Sequence, residues 1–160
     1  MSARGFNIAE EGHVVPLFNP ASITGGISGQ VFSLRDASKA NIIIHYGALA
    51  AAPGTVTLSA CTDINGDNTT PIAFDLYQQA AAGAGNDVLG GRQSIPATGY
   101  APNDVAGTVD VLHVQADELP PGYPYLKLSI ADGTNADFVS AVAVLTGVRF
   151  QGVSTQSATV

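Results

Sequence analysis

The chain is expected to fold as an all-β protein, a jelly-roll-like β-sandwich of about eight strands with an extended N-terminal arm. Three observations lead there. Apolar and polar residues alternate along one segment after another, the period of a strand with one buried face. Clusters of Gly, Pro, Asn and Asp separate these segments. No segment of useful length carries the helical period, so no crossover helices are on offer for a parallel sheet. With 160 residues the length suits one domain, which hides roughly 70% of its unfolded surface and needs no disulfide or metal staple.

Residues 1–22 are expected to form the arm. They mix Gly, Pro, Asn and Glu around one apolar patch, HVVPLF, and Pro16 and Pro20 exclude a helix or a central strand. Val14, Val15, Leu17 and Phe18 are the candidate partner-binding residues, a cluster that a neighbouring subunit would hide from water. The alternative is an arm folded back over its own sandwich. The sandwich domain is expected over 23–150, followed by a polar tail, QGVSTQSATV, over 151–160.

Within the sandwich, QVFSLRD (30–36) alternates, and ANIIIHYG (40–47) is so continuously apolar that it reads as a buried strand. GTVTLSAC (54–61) and PIAFDLYQ (71–78) follow; DVLGGRQS (87–94) is weaker, with a bulge at Gly90-Gly91. GTVDVLHVQ (107–115), YLKLSIAD (125–132) and FVSAVAVLTGVRF (138–150) complete the set, and ADEL (116–119) can make one helical turn. The candidate core is Ile42, Ile44, Val56, Leu58, Phe74, Leu76, Val111, Leu128, Ile130, Val142 and Val144.

Only 12% of residues are charged, about half the usual ~25%. The mean hydropathy is +0.22, yet no apolar stretch is long enough to span a membrane. The opening MSARGFNIAEEGH has no apolar core of secretory type, so a soluble, unexported chain is expected. Cys61 is alone, which rules out an intrachain disulfide and suits a reducing cytosol. The net charge of −7 and six scattered basic residues exclude a phosphate-neutralising stripe, hence nucleic acid as a partner. So sparse a charge leaves either a surface partly covered by partners or a neutral, Ser/Thr-rich β surface.

No segment carries catalytic chemistry. SITGGISGQ (22–30) has clustered glycines but neither the Lys-Ser/Thr nor the following helix that a phosphate loop needs. Nor is it a Gly-x-Ser-x-Gly elbow, so Ser28 is no nucleophile, and its glycines supply positive φ at a turn. DINGDNTT (63–70) spaces Asp63, Asn65 and Asp67 like a calcium loop. The sixth and twelfth positions are Asn68 and Phe74, where glycine and glutamate belong, so a turn accounts for it better than a weak cation site. His13, His45 and His113 have no second ligand at strand or helix spacing, and no Ser/His/Asp set is visible. Glu10-Glu11 fall on the arm and Asp117-Glu118 precede a Pro-Pro turn. ELPPGYPYLKL (118–128) reads as a rigid turn beside packed tyrosines, or as an aromatic contact for a sugar or partner. No catalytic, cofactor-binding or metal-binding residue is assigned, and the chain is expected not to be an enzyme.

ITGG (23–26), VFSLRDASKANIII (31–44), PIAFDLY (71–77), DVLGGR (87–92), ADELPPGYPYLKLSI (116–130) and AVAVLTGVRF (141–150) resemble the capsid decoration, or cement, proteins of tailed bacteriophages. The resemblance covers about 23–150. It implies a virion structural protein made in the host bacterial cytoplasm, sitting on the capsid exterior as a dimer or trimer and binding the major capsid protein. It carries no motif residues with an assigned role. The alternative is a phage tail or fibre sandwich binding host carbohydrate or another virion protein; a small hydrolase ranks third for want of a nucleophile–base pair. With no Trp and five Tyr, the chain is poor in the aromatics that stack on sugars.

Overall fold

The computed structural model describes residues 5, 7–83 and 85–148. The tail expected over 151–160 and the last two residues of the run ending at Phe150 lie outside them. Among the described residues are a four-residue helix, α1 (Ile8–Glu11), and eleven strands. The strands are β1 (Gly12–Ser22), β2 (Ile27–Ser28), β3 (Phe32–Ser33), β4 (Lys39–Tyr46), β5 (Val56–Cys61) and β6 (Thr70–Pro71). They continue as β7 (Phe74–Gln78), β8 (Gln93–Ile95), β9 (Val109–Gln115), β10 (Tyr125–Ile130) and β11 (Phe138–Thr146). ADEL makes one 3₁₀ turn, Ala116–Glu118.

The strands form two antiparallel sheets. One has six strands in the order β1-β11-β4-β9-β7-β8; the other has five, β2-β10-β5-β6 with β3 also on β10. The chain passes from one sheet to the other and back, and its first and last strands end as neighbours. This is the double Greek key of a jelly roll. Both sheets send alternate residues into a shared interior: Ile42, Ile44, Leu112, Ala141 and Leu145 from the first, Val56, Leu58, Leu126, Leu128 and Ile130 from the second. Fully burying side chains of this size stabilises by roughly 1.5–3 kcal/mol each.

Eleven strands replace the expected eight because β1 and β2 precede the expected set and PIAFDLYQ splits in two. PIAFDLYQ is not one strand but two in different sheets: β6 pairs with β5, β7 pairs with β9, and buried Ile72 lies at the crossing. QVFSLRD contributes only Phe32–Ser33 to a sheet, and Val31, Phe32 and Leu34 are all buried. The bulge in DVLGGRQS is present in the register. Leu89 opposes Gln79 and Gln93 opposes Leu76, so four steps on one strand face three on the other, with Gly90-Gly91 in between.

Two expectations need correction. Over Gly12–Ser22 the N-terminal segment is not a free arm but β1, an edge strand hydrogen-bonded to β11. An edge tolerates Pro16 and Pro20, because a missing N–H on the open side breaks no ladder bond; register shifts lie on both sides of Phe18. Val111 and Val142 are not core residues either. On β9 the interior takes Leu112 and Val114, and on β11 it takes Val139, Ala141, Ala143 and Leu145. Val144 is buried, 5% exposed, but lies on the outer side between two core residues. The other eight candidate core residues are interior.

Candidate interaction face

The residues displaced from the core define the main surface feature. Across the outer side of the six-stranded sheet the registers align Pro16 with Val142, Val142 with Ile43, Ile43 with Val111 and Val111 with Tyr77. Five adjacent strands thus carry one continuous apolar row on the outer side, with Pro16 exposed and Val142, Ile43, Val111 and Tyr77 half-buried. A second row runs Val14, Val144, Asn41, His113, Asp75. Val14 is 48% exposed and Phe138, at the start of β11 on the same side, 51%. Antiparallel sheets with one wet face normally alternate apolar-in and polar-out. On the outer side Ile43 of β4 and Val142 and Val144 of β11 depart from that pattern, beside the polar Lys39, Asn41, His45 and Ser140.

The opposite surface contrasts with it. Outward from the five-stranded sheet stand Ser28, Ser129 and Thr57 in one row and Lys127, Ser59 and Pro71 in another. Ser28 Oγ and Ser129 Oγ are 3.2 Å apart. The Arg35 guanidinium sits 5.1 Å above the Tyr125 ring, a cation–π contact. One side of the sandwich is hydroxylated; the other carries an apolar row between polar neighbours such as His45, Ser140 and His113.

Two polar pairs lie along one margin of the apolar row. His113 Nδ1 lies 2.9 Å from Asn41 Oδ1, a hydrogen bond in which a protonated Nδ1 donates to the amide oxygen. Asp75 pairs with Arg92 at 2.8 Å. His45 is registered against Val109, not against His113, so the two strand histidines do not meet.

Of the candidate partner-binding residues, Val15 and Leu17 are 2% exposed inside the chain's own core. Phe18 is partly buried against that core. Only Val14 faces outward, because a strand sends its neighbours to opposite faces. The four residues therefore do not form one exposed cluster.

A buried polar cluster, which strand alternation alone did not reveal, stands inside the fold. Asp110 is 1% exposed and points inward from β9. Its Oδ2 accepts the Tyr100 hydroxyl at 2.7 Å and Gln78 Nε2 at 3.3 Å. The Tyr46 and Tyr100 hydroxyls are 3.3 Å apart. Burial raises the Asp110 carboxyl above its ordinary value, while hydrogen bonds from Tyr100, Tyr46 and Gln78 pull the other way. Burial, with the nearby Asp110 charge, also pushes both phenols well up. The signal was there: an aspartate in phase with Leu112 and Val114.

The remaining loops are held by backbone chemistry. Asp137 Oδ1 accepts the amides of Ala50 and Ala51, at 2.7 and 3.4 Å, and its Oδ2 is buried without a partner. Asp132 Oδ1 accepts those of Thr134 and Gly25. The glycines of ITGG do shape a turn: Gly25 and Gly26 have φ of 92° and 80°, and the Gly26 amide donates to the Ile23 carbonyl at 2.9 Å. Asp63 Oδ1 accepts the amides of Asn65 and Asp67, closing the β5–β6 connection as a turn. PPGY is likewise a turn, with the Tyr123 amide 3.1 Å from the Pro120 carbonyl and Tyr123 packed on the core. Among the described residues no three His, Cys, Asp or Glu side chains gather as a metal nest, and no helix is long and apolar enough to cross a membrane.

No protein-family model and no curated protein matches this chain. Among solved structures, the crystal structure of SPBc2 prophage-derived protein YomS is similar, with a TM-score of 0.51 and 11% identity over 86% of this chain and 94% of that one. At that identity the likeness is one of fold, and the two chains share it over nearly their whole lengths.

Proposed function

We propose that this chain is a non-enzymatic structural protein of a tailed-bacteriophage virion, a capsid decoration protein that binds the major capsid protein on the head exterior and stabilises the shell. The observation that carries the proposal is the apolar outer face of the six-stranded sheet. A lone domain gains nothing from leaving Pro16, Val14 and Phe138 exposed beside the half-buried Val142, Ile43, Val111 and Tyr77, whereas a subunit of an assembly hides them. The rest of the molecule supports the same reading. Ser28 meets Ser129 and His113 meets Asn41, so these polar groups answer one another and not a substrate. The fold shared with a prophage-derived protein and the sequence resemblance to cement proteins point to a phage.

A carbohydrate-binding tail or fibre module fits less well. Tyr46 and Tyr100 are spent on the Asp110 cluster, Tyr125 lies under Arg35 and Tyr123 packs on the core. That leaves few rings free to stack on a sugar.

The test is binding of the purified protein to phage heads that lack it, read by co-sedimentation and by the temperature at which the heads release DNA. Saturable binding and a raised release temperature are expected. Heads that neither bind the protein nor gain stability refute the decoration role, and selective binding on a glycan array would favour the fibre module.

A further inference from the structure

We infer that residues 96–107 form a strap that opens and closes as one unit over one end of the sandwich, with the Tyr100 hydroxyl as its fastening. The inference holds whatever the chain binds.

The path of the segment shows what it joins. It leaves β8 of the six-stranded sheet, pairs with β5 of the other sheet and returns to the first sheet at β9. At the crossing the Val56 amide donates to the Tyr100 carbonyl at 2.8 Å, and the Tyr100 amide to the Val56 carbonyl at 3.1 Å. Gly99 permits that approach, because a Cβ there would collide with the Val56 carbonyl oxygen. The Tyr100 ring packs edge-on against Phe74 of β7, centroids 6.1 Å apart, and its hydroxyl donates to Asp110 of β9 at 2.7 Å. One residue is thus bonded to one sheet through its backbone and to the other through its hydroxyl.

Little else ties the segment down. Between Ile95 and Thr108 only Pro102 is buried, and the other residues are half-buried or exposed. The Gly99 amide turns back to the Pro96 carbonyl, and the Val105 carbonyl accepts the Thr108 hydroxyl at the strap's own end. Beyond the Val56 pair, the backbone tie to the body is the Gly107 amide, which donates to the Tyr46 carbonyl at 2.8 Å.

Segments with few buried apolar contacts and few bonds to the body open locally, at a fraction of the free energy of global unfolding. A buried bond from a hydroxyl to a carboxylate is stronger than a neutral one. Against so few other ties it is a large share of what keeps the strap shut, with the Tyr46 hydroxyl 3.3 Å away beside it. Opening lifts Tyr100 off Asp110 and Tyr46, both 1% exposed while the strap is shut.

Native-state hydrogen exchange of the full chain, followed by NMR where closing outruns exchange, tests the inference. In the wild type the amides of Val56, Tyr100 and Gly107 are expected to exchange together. They should do so about tenfold or more faster than amides at the centre of β4 and β11, which have neighbours on both sides. Tyr100→Phe keeps the ring, removes the hydroxyl and should speed the three strap amides by roughly tenfold to a hundredfold. Gly99→Ala disturbs the β5 side and should speed the same three, Gly107 included. Leu145→Val, at the far end of β11 from Tyr46, should speed the central amides severalfold and leave the strap amides unchanged. Strap amides no faster than the sheet centre, or unmoved by Tyr100→Phe, overturn the inference. So does a Gly99→Ala chain in which Gly107 keeps its protection, or a Leu145→Val chain in which strap and sheet speed up alike.

Discussion

Replacing Asp110 tests the least ordinary feature of the interior. The carboxylate is 1% exposed and accepts hydrogen bonds from Tyr100 and Gln78. Asp110→Leu leaves those two donors without an acceptor, at about 1–3 kcal/mol for each buried group. A loss of about 2–5 kcal/mol is expected, which for a chain of this size lowers Tm by roughly 4–20 °C. Asp110→Asn keeps one acceptor oxygen and should cost far less, so the pair separates lost hydrogen bonding from lost charge. The pH dependence carries the sharper test. Burial raises the folded carboxyl above its unfolded value of about 3.9. Between those two values the folded state binds more protons than the unfolded state, so stability falls as pH rises through that window. Asp110→Asn has no such titration. The stability of wild type minus Asp110→Asn, measured by urea unfolding at a series of pH values, is therefore expected to decline from pH about 3.5 upward and then level off. A difference that grows in favour of the wild type over that range would refute the reasoning, because it would mean that the fold prefers the charged carboxylate.

Two further outcomes follow from the strand faces. Leu112→Ala, at a fully buried position, should cost about 2–5 kcal/mol in urea unfolding. Val142→Thr, on the outer face of β11, should change the unfolding of the dilute chain by less than about 1 kcal/mol; equal losses at the two sites would show that the faces are assigned wrongly. Removing residues 1–11 should leave a cooperative β fold by circular dichroism and thermal melting. Removing 1–22 takes away β1 with Val15 and Leu17 and bares β11, so it should yield unfolded or aggregated protein; a stable, soluble 23–160 fragment would contradict the placement of β1 in the sheet.

The β class was legible because it rests on local chemistry. Alternation in GTVTLSAC and YLKLSIAD, glycines at turns such as ITGG, and the absence of a helical period are properties of short segments, and β5 and β10 emerge within two residues of their expected bounds. The same local chemistry located turns: Asp63 Oδ1 accepts the Asn65 amide and Gly25 takes a positive φ. Short strands escaped it, since β2, β3 and β6 are two residues each and derive their identity from their partners.

By itself, then, the sequence determined the all-β class, the turns, most of the strand positions and the burial of nine of the eleven core residues named at the outset. Only the tertiary structure decided which face of β9 and β11 turns inward, because FVSAVAVLT is apolar in both phases and period alone cannot choose between them. The choice is made by distant partners: Tyr100 and Gln78 receive Asp110 in the interior, which turns Leu112 inward and Val111 outward. It likewise decided that HVVPLF closes the chain's own sheet, since the pairing of β1 with β11 joins segments more than a hundred residues apart. The apolar row from Pro16 to Tyr77 is a product of register across five strands, a relation no stretch of the chain contains.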